Sequence, residues 1–270
     1  VIIGCSILNI LPGQIQRRPF YVNIAISFLL GVGGVSWVMF LLGFFKISLS
    51  VVNIILAGIP FYSFFLIKRE KPNLSWTLNK KMDSLEIVLL VIVLLQILLF
   101  YFITFQSPLP SDDSIAIWFL KGKAFFLDGG INTFLTDELK VYSHLDYPLL
   151  LPLSISWIYS CLGKVNEISA KTLYPTFFTC ILILFYYYFR QRTSRKLSLV
   201  ITLFLTTIPA ISKAVLYAGH ADLPFGIYFA AGLVFLTLYL ISKETNNIFL
   251  ATLFFCFSAW TKNEGIPIVI

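Results

Sequence analysis

Long unbroken apolar runs, separated by short polar segments, dominate the chain. Runs at 21–45, 51–67, 85–105, 173–189, 197–212, 223–241 and 248–261 fill or approach the roughly 20 residues a helix needs to cross a bilayer. An opening run at 1–11 and a short one at 148–162 complete the series. These runs lack the polar stripe of a helix lying on a water-soluble core, so lipid is the expected solvent. Gly31, Gly33 and Gly34 give the 21–45 run a face that a neighbouring helix can approach closely. The fold class expected is all-α, a polytopic transmembrane helical protein whose first outer loop contains a juxtamembrane helix. Two parts are expected. Residues 1–84 hold amino-terminal transmembrane helices and a basic cytoplasmic loop, and residues 85–270 hold the start of a catalytic transmembrane core. Apolar runs reach both Val1 and Ile270 without a flank, which suggests a piece of a longer protein.

Charge orients these runs. Lys and Arg concentrate in short loops: Arg17 and Arg18, Lys68 to Lys71, Lys80 and Lys81, and Arg190 to Lys196. Positive loops stay cytoplasmic. If the 148–162 run crossed, parity would put Arg190 to Lys196 outside. If it stays on the outer side as a juxtamembrane or re-entrant arm, every basic loop falls inside. With that choice all six Arg lie inside, and nine of the thirteen acids lie outside. The acids thus mark the face where chemistry is expected.

The remaining composition agrees. The chain is 58% hydrophobic and 12% charged, against roughly 25% charged in soluble domains. The net charge of +7 belongs to the inner loops and gives no reason to expect nucleic acid. The four Cys form no CxxC pair, so neither a disulfide framework nor a zinc site is expected.

Four outer segments carry the candidate chemistry. Ser111-Asp112-Asp113-Ser114 opens a segment in which Ile115, Trp118, Phe119, Phe125 and Phe126 recur at helical spacing, with Lys121 and Lys123 between them. This reads as an amphipathic helix lying in the membrane interface, with Ser111 as its cap. One of the two Asp is a candidate general base, since a carboxylate there can take a proton from an attacking hydroxyl. His144-Leu145-Asp146-Tyr147-Pro148 introduces the non-crossing arm; Tyr147 suits an interface anchor, and His144 and Asp146 are candidates for the acceptor side. His220-Ala221-Asp222-Leu223-Pro224 forms the next outer loop, where Asp222 also suits a helix start. Trp260-Thr261-Lys262-Asn263-Glu264-Gly265 ends the last run; Lys262 either snorkels or neutralises a phosphate, with Glu264 positioning it. Asp112 and Asp222 are the oxygen ligands if a divalent cation is bound.

These four motifs, in this order, resemble the polytopic glycosyltransferases of the GT-C class, which includes protein O-mannosyltransferases and lipid A aminoarabinose transferases. The resemblance covers about residues 85–270. It implies a polyprenyl- or dolichyl-phosphate-linked sugar donor, an acceptor glycan, lipid or protein, and inversion at the anomeric carbon. It implies Asp112 as the essential acid with Asp113 beside it, Asp222 as the second-loop acid, and Lys262 near the donor phosphate; His220 is a substrate-side candidate from its place beside Asp222 at the membrane. It also implies an integral membrane protein with its site on the non-cytoplasmic side, for which a bacterial inner membrane is the setting expected. The second loop departs from the metal-dependent members, having one Asp where they have paired acids. Two other classes compete: a transporter or lipid-carrier flippase, which needs ionisable groups or broken helices at mid-membrane, and a scaffold subunit in which the motifs are caps and anchors.

Overall fold

The computed structural model of the chain describes residues 1–10, 18–67 and 81–269. Arg17, Lys68, Arg69, Lys71 and Lys80 lie outside the described residues. Every described element is helical: α1 (Ile2–Ile10), α2 (Phe20–Phe44), α3 (Val51–Ile67), α4 (Ser84–Gln106), α5 (Leu120–Leu127), α6 (Asn132–Leu135), α7 (Leu150–Leu162), α8 (Glu167–Lys171), α9 (Leu173–Arg190), α10 (Arg195–Thr207), α11 (Pro209–Leu216), α12 (Asp222–Ser242), α13 (Thr245–Thr261) and α14 (Ile266–Val269). A π-helical turn, Ser114–Phe119, leads into α5, and a 3-10 turn, Glu138–Ser143, follows α6. Among the described residues, four helical stretches are long and apolar enough to cross a membrane: α2, α4, α8 with α9, and α12. The α10–α11 pair makes a fifth if it is one bent span.

The runs at 21–45, 51–67, 85–105, 173–189 and 223–241 each fold as one helix with nearly the expected ends. The run at 197–212 does not. It breaks at Ile208, and α11 leaves at 62° to α10. Pro209 supplies no N–H, and its ring drives Ile208 out of the helical region, to φ −65° and ψ 116°. The Ser212 hydroxyl donates to the Thr206 carbonyl at 2.8 Å, satisfying an acceptor that the break leaves open.

Charged side chains that bond between helices do so at the two ends of the bundle, while the Tyr228 hydroxyl of α12 donates to the Leu29 carbonyl of α2 deeper inside, at 2.8 Å. At one end, Asp83 and Glu86 form a capping box on α4, each side chain accepting from the other's backbone N–H. The same two carboxylates reach α10, Asp83 to Lys196 at 2.5 Å and Glu86 to Arg195 at 3.2 Å. Arg18, just before α2, donates to Asn247 in the first turn of α13 at 2.8 Å. At the opposite end, Lys171 donates to the Ser107 carbonyl, and the Tyr101 and Thr176 hydroxyls share a 2.7 Å bond. Nearby, Leu49 N–H donates to the Gly129 carbonyl at 2.8 Å and Asn132 to the Gly43 carbonyl at 2.6 Å. The segment between Ser107 and Lys171 therefore leaves and returns at the same end, as the charge parity requires.

Within that excursion, α7 is an interior helix. Residues 150–156 are all buried, packed against α2 and α5. Its 13 residues rise only about 20 Å, short of a bilayer core. The helix expected to lie in the interface is turned the other way. Trp118, Phe119 and Phe125 are buried in the protein core, while Ile115 is exposed. Gly122 is the reason: a Cβ there would stand 2.6 Å from Ile155 Cγ2 and 3.0 Å from the Pro152 carbonyl. That close approach lets α5 lay its apolar face on α7 instead of on lipid.

Two glycines give opposite expectations. Gly122→Val should cost about 1–3 kcal/mol through overpacking of the α5–α7 contact, read as a lower melting temperature in detergent. Gly226 in α12 has nothing within 4 Å of its missing Cβ. Gly226→Ala should therefore be neutral or stabilising by up to about 1 kcal/mol.

Candidate functional site

The Ser111–Ser114 and His220–Pro224 segments meet through a hydrogen bond. The Ser111 hydroxyl lies 2.8 Å from His220 Nε2, joining positions 109 residues apart in sequence. Ser111 is fixed by its own cap. Its hydroxyl lies 3.3 Å from the Ser114 N–H, and the Ser114 hydroxyl donates to the Ser111 carbonyl at 2.7 Å. Gly219 makes the approach of the second loop feasible. Its φ of +152° lies where side chains are strained, and a Cβ would overlap the Ser114 side chain. Asp112 and Asp113 follow Ser111 at the helix start, and both are exposed. Their charge suits the positive end of the helix. The π-helical turn begins at the next residue, and such turns concentrate at functional sites.

The His220–Pro224 and Trp260–Gly265 segments also meet. Lys262 Nζ lies 2.7 Å from Asp222 Oδ1 and 2.9 Å from Glu264 Oε1. Asp222 opens α12, and Lys262 follows α13 in extended conformation, so two adjacent helix ends are tied by one ammonium. Burial works against the Lys262 charge, but the Asp222 and Glu264 carboxylates outweigh it and hold its pKa above the usual lysine value. Lys262 in turn holds Glu264 below the usual carboxylate range. The ammonium fills the space between Asp222 and Glu264 that a divalent cation would need. Among the described residues, no three of His, Cys, Asp and Glu converge into a metal site.

The His144–Pro148 segment joins the Trp260–Gly265 segment. Asn263 Nδ2 reaches Asp146 Oδ2 at 3.4 Å, and His144 Nδ1 stands 4.0 Å from Asp146 Oδ1. The Tyr147 ring stacks between His144, at a centroid distance of 4.7 Å, and Trp118, at 5.4 Å. Tyr147 therefore packs on protein rings on both sides. Beneath the stack lies Lys121, which is fully buried. Its Nζ donates to the His144 carbonyl and stands 5.9 Å and 5.7 Å from the Trp118 and Tyr147 ring centroids.

All nine residues singled out in the sequence (Asp112, Asp113, His144, Asp146, Tyr147, His220, Asp222, Lys262 and Glu264) belong to these contacting segments. Sequence reasoning missed the residues that connect them: Lys121, Gly219 and Asn263, with the His220 partnership of Ser111. A glycine directly before the loop histidine was the one local signal for the second connection. Comparison of the chain with protein-family models, with curated proteins and with solved structures gives no match in any of the three.

The ion triad sets a pH window. Glu264 is depressed, so its contribution is present above its usual pKa and is lost as pH falls through the lower folded value. Lys262 is raised, so its contribution holds below the usual lysine pKa and is lost as pH rises through the folded value. Melting temperature should stay flat across neutral pH on account of this triad and fall below about pH 4.5. Glu264→Gln should flatten part of that acid limb; an unchanged acid limb in the variant would show that the triad contributes nothing.

Proposed function

We propose that the chain is a polytopic membrane glycosyltransferase that moves a sugar from a polyprenyl- or dolichyl-phosphate carrier to a glycan, lipid or protein acceptor on the non-cytoplasmic face. The observation that carries the reading is the convergence of the acidic outer segments at the end of the bundle opposite Arg18, Arg195 and Lys196. Basic loops held together at one end suit a cytoplasmic face. Acids and a restrained lysine at the other suit chemistry on a carrier embedded in the outer leaflet.

In this reading Asp112 is the general base, with Asp113 as its neighbour. Its carboxylate takes the proton of the acceptor hydroxyl while that oxygen attacks the anomeric carbon, and the carrier phosphate departs with the electrons of the broken C–O bond. Lys262 opposes the negative charge growing on that phosphate. Because Asp222 and Glu264 already hold Lys262, an arriving phosphate competes with a carboxylate for the ammonium. Asp222 then becomes available to orient a sugar hydroxyl. The His220–Ser111 bond keeps the loop of Asp222 against the loop of the base.

A transporter or flippase is the second reading, and the 62° break between α10 and α11 favours it, since broken helices line transport sites. The groups bonded at that break are the Ser212 hydroxyl and the Thr206 carbonyl, neither of them ionisable.

The test is sugar transfer from a panel of polyprenyl- and dolichyl-phosphate donors by membranes containing the protein, beside Asp112→Asn and Asp113→Asn at matched expression. Loss of a general base lowers the rate by about 100- to 10,000-fold, so one of the two variants should fall by that much. Transfer that survives both substitutions would remove the base from this pair. No transfer from any donor would favour transport.

A further inference from the structure

Lys121 is the group in the candidate region that the proposed chemistry leaves unused. It is fully buried, and no carboxylate lies within ion-pair distance of it among the described contacts. An amino group buried without a counter-charge is costly, and a side chain of similar length without the nitrogen would fill the same space at no such cost. What the nitrogen adds is directional. It donates to the carbonyl of His144, which holds the left-handed conformation at φ +53° and so turns the chain sharply before Asp146. Above it, His144, Tyr147 and Trp118 form one continuous ring stack. Beyond the turn, Asp146 meets Asn263, the neighbour of both Lys262 and Glu264 in sequence.

We propose that Lys121 is a positioning residue: its amino group, bonded to the His144 carbonyl beneath the ring stack, fixes the turn that delivers Asp146 to Asn263 beside Lys262. The proposal concerns the assembly of this end of the bundle and stands whatever reaction occurs there.

Protonation supplies a signature that packing alone does not. Burial pushes the Lys121 amine down to about 8, opposed by the Asp146 carboxylate. Asp146, His144 and Tyr147 are the titratable groups of the turn above it. The π-helical turn, α6 and α7, which contact α5, carry no Asp, Glu, Lys, Arg or His. An amine with a pKa of about 8 when the turn is closed and the ordinary lysine value when it opens binds fewer protons closed. The closed turn is therefore favoured as pH rises through 8 and is burdened by the charge below it.

The experiment is cross-linking with a short bis-thiol-reactive reagent in the full chain, with Cys5, Cys161, Cys180 and Cys256 replaced. Asp146→Cys with Asn263→Cys reports the turn. Asp83→Cys with Lys196→Cys, at the opposite end, reports thiol reactivity and an intact fold. Relative to that reference pair, Lys121→Met should lower the 146–263 yield about fivefold, the population factor one hydrogen bond carries. The yield with Lys121 present should also rise from neutral pH to about 9, and the Met variant should lose that rise. Undiminished yield in Lys121→Met would overturn the proposal, because the stem alone would then suffice. If the Met variant fails to fold, as its reference pair would show, the pH arm decides: a rise supports the proposal and a flat normalised yield overturns it.

Discussion

The Lys171 ammonium on the Ser107 carbonyl, with the Tyr101–Thr176 bond one turn deeper, sets the arrangement of everything that follows it in the chain. These contacts make α4 and α9 neighbours and bring 107–171 back to the end from which it left. The direction of every later helix is thereby fixed. Were that excursion to cross the bundle, Arg195 and Lys196 would be carried away from Glu86 and Asp83, and Asp222 from the Ser111 loop. The ion pairs at one end and the His220–Ser111 bond at the other are consequences of the same closure.

Helix surfaces explain why charged contacts between helices retreat to the ends. On α4, Leu94, Leu95, Leu98, Leu99 and Phe102 are exposed, and few of its residues are buried. Such a surface is a liability in water and none in lipid. Interior contacts depend on closeness: a Cβ on Gly4 would overlap the Ser27 carbonyl, so α1 and α2 cross where only glycine fits. Hydroxyls that remain inside mostly donate to their own helix, as Ser154 does to the Leu150 carbonyl at 2.7 Å. Charged groups that meet across the bundle do so where the helices end.

Much of this was legible in the sequence. Apolar runs located α2, α3, α4, α9 and α12, because a span must be uniformly apolar over its whole length. Arg and Lys placement, with the shortness of the run, then marked 148–162 as an excursion that returns to the end it leaves. The 197–212 run reads as one span, because hydropathy averaged over the run hides the Pro209 at which the helix breaks. The amphipathic pattern from Ile115 to Phe126 gave the helix but not its partner, since an apolar face looks the same whether it meets lipid or α7. For that reason nothing in the sequence set Lys121 apart from Lys123 in the same segment. The site residues were found one loop at a time. Their meeting rests on contacts such as Ser111 with His220, and only Gly219 hinted at so close an approach.

Asp113 and Glu264 should share one face of a membrane while Asp83 and Lys196 share the other. Single cysteines at those four positions, in a background without the native cysteines, can be labelled in intact cells with a membrane-impermeant maleimide. Labelling from outside is expected at 113 and 264, and at 83 and 196 only after permeabilisation. Opposite sidedness of 113 and 264 would contradict this arrangement, because one face must hold both if the segments are to act on one substrate.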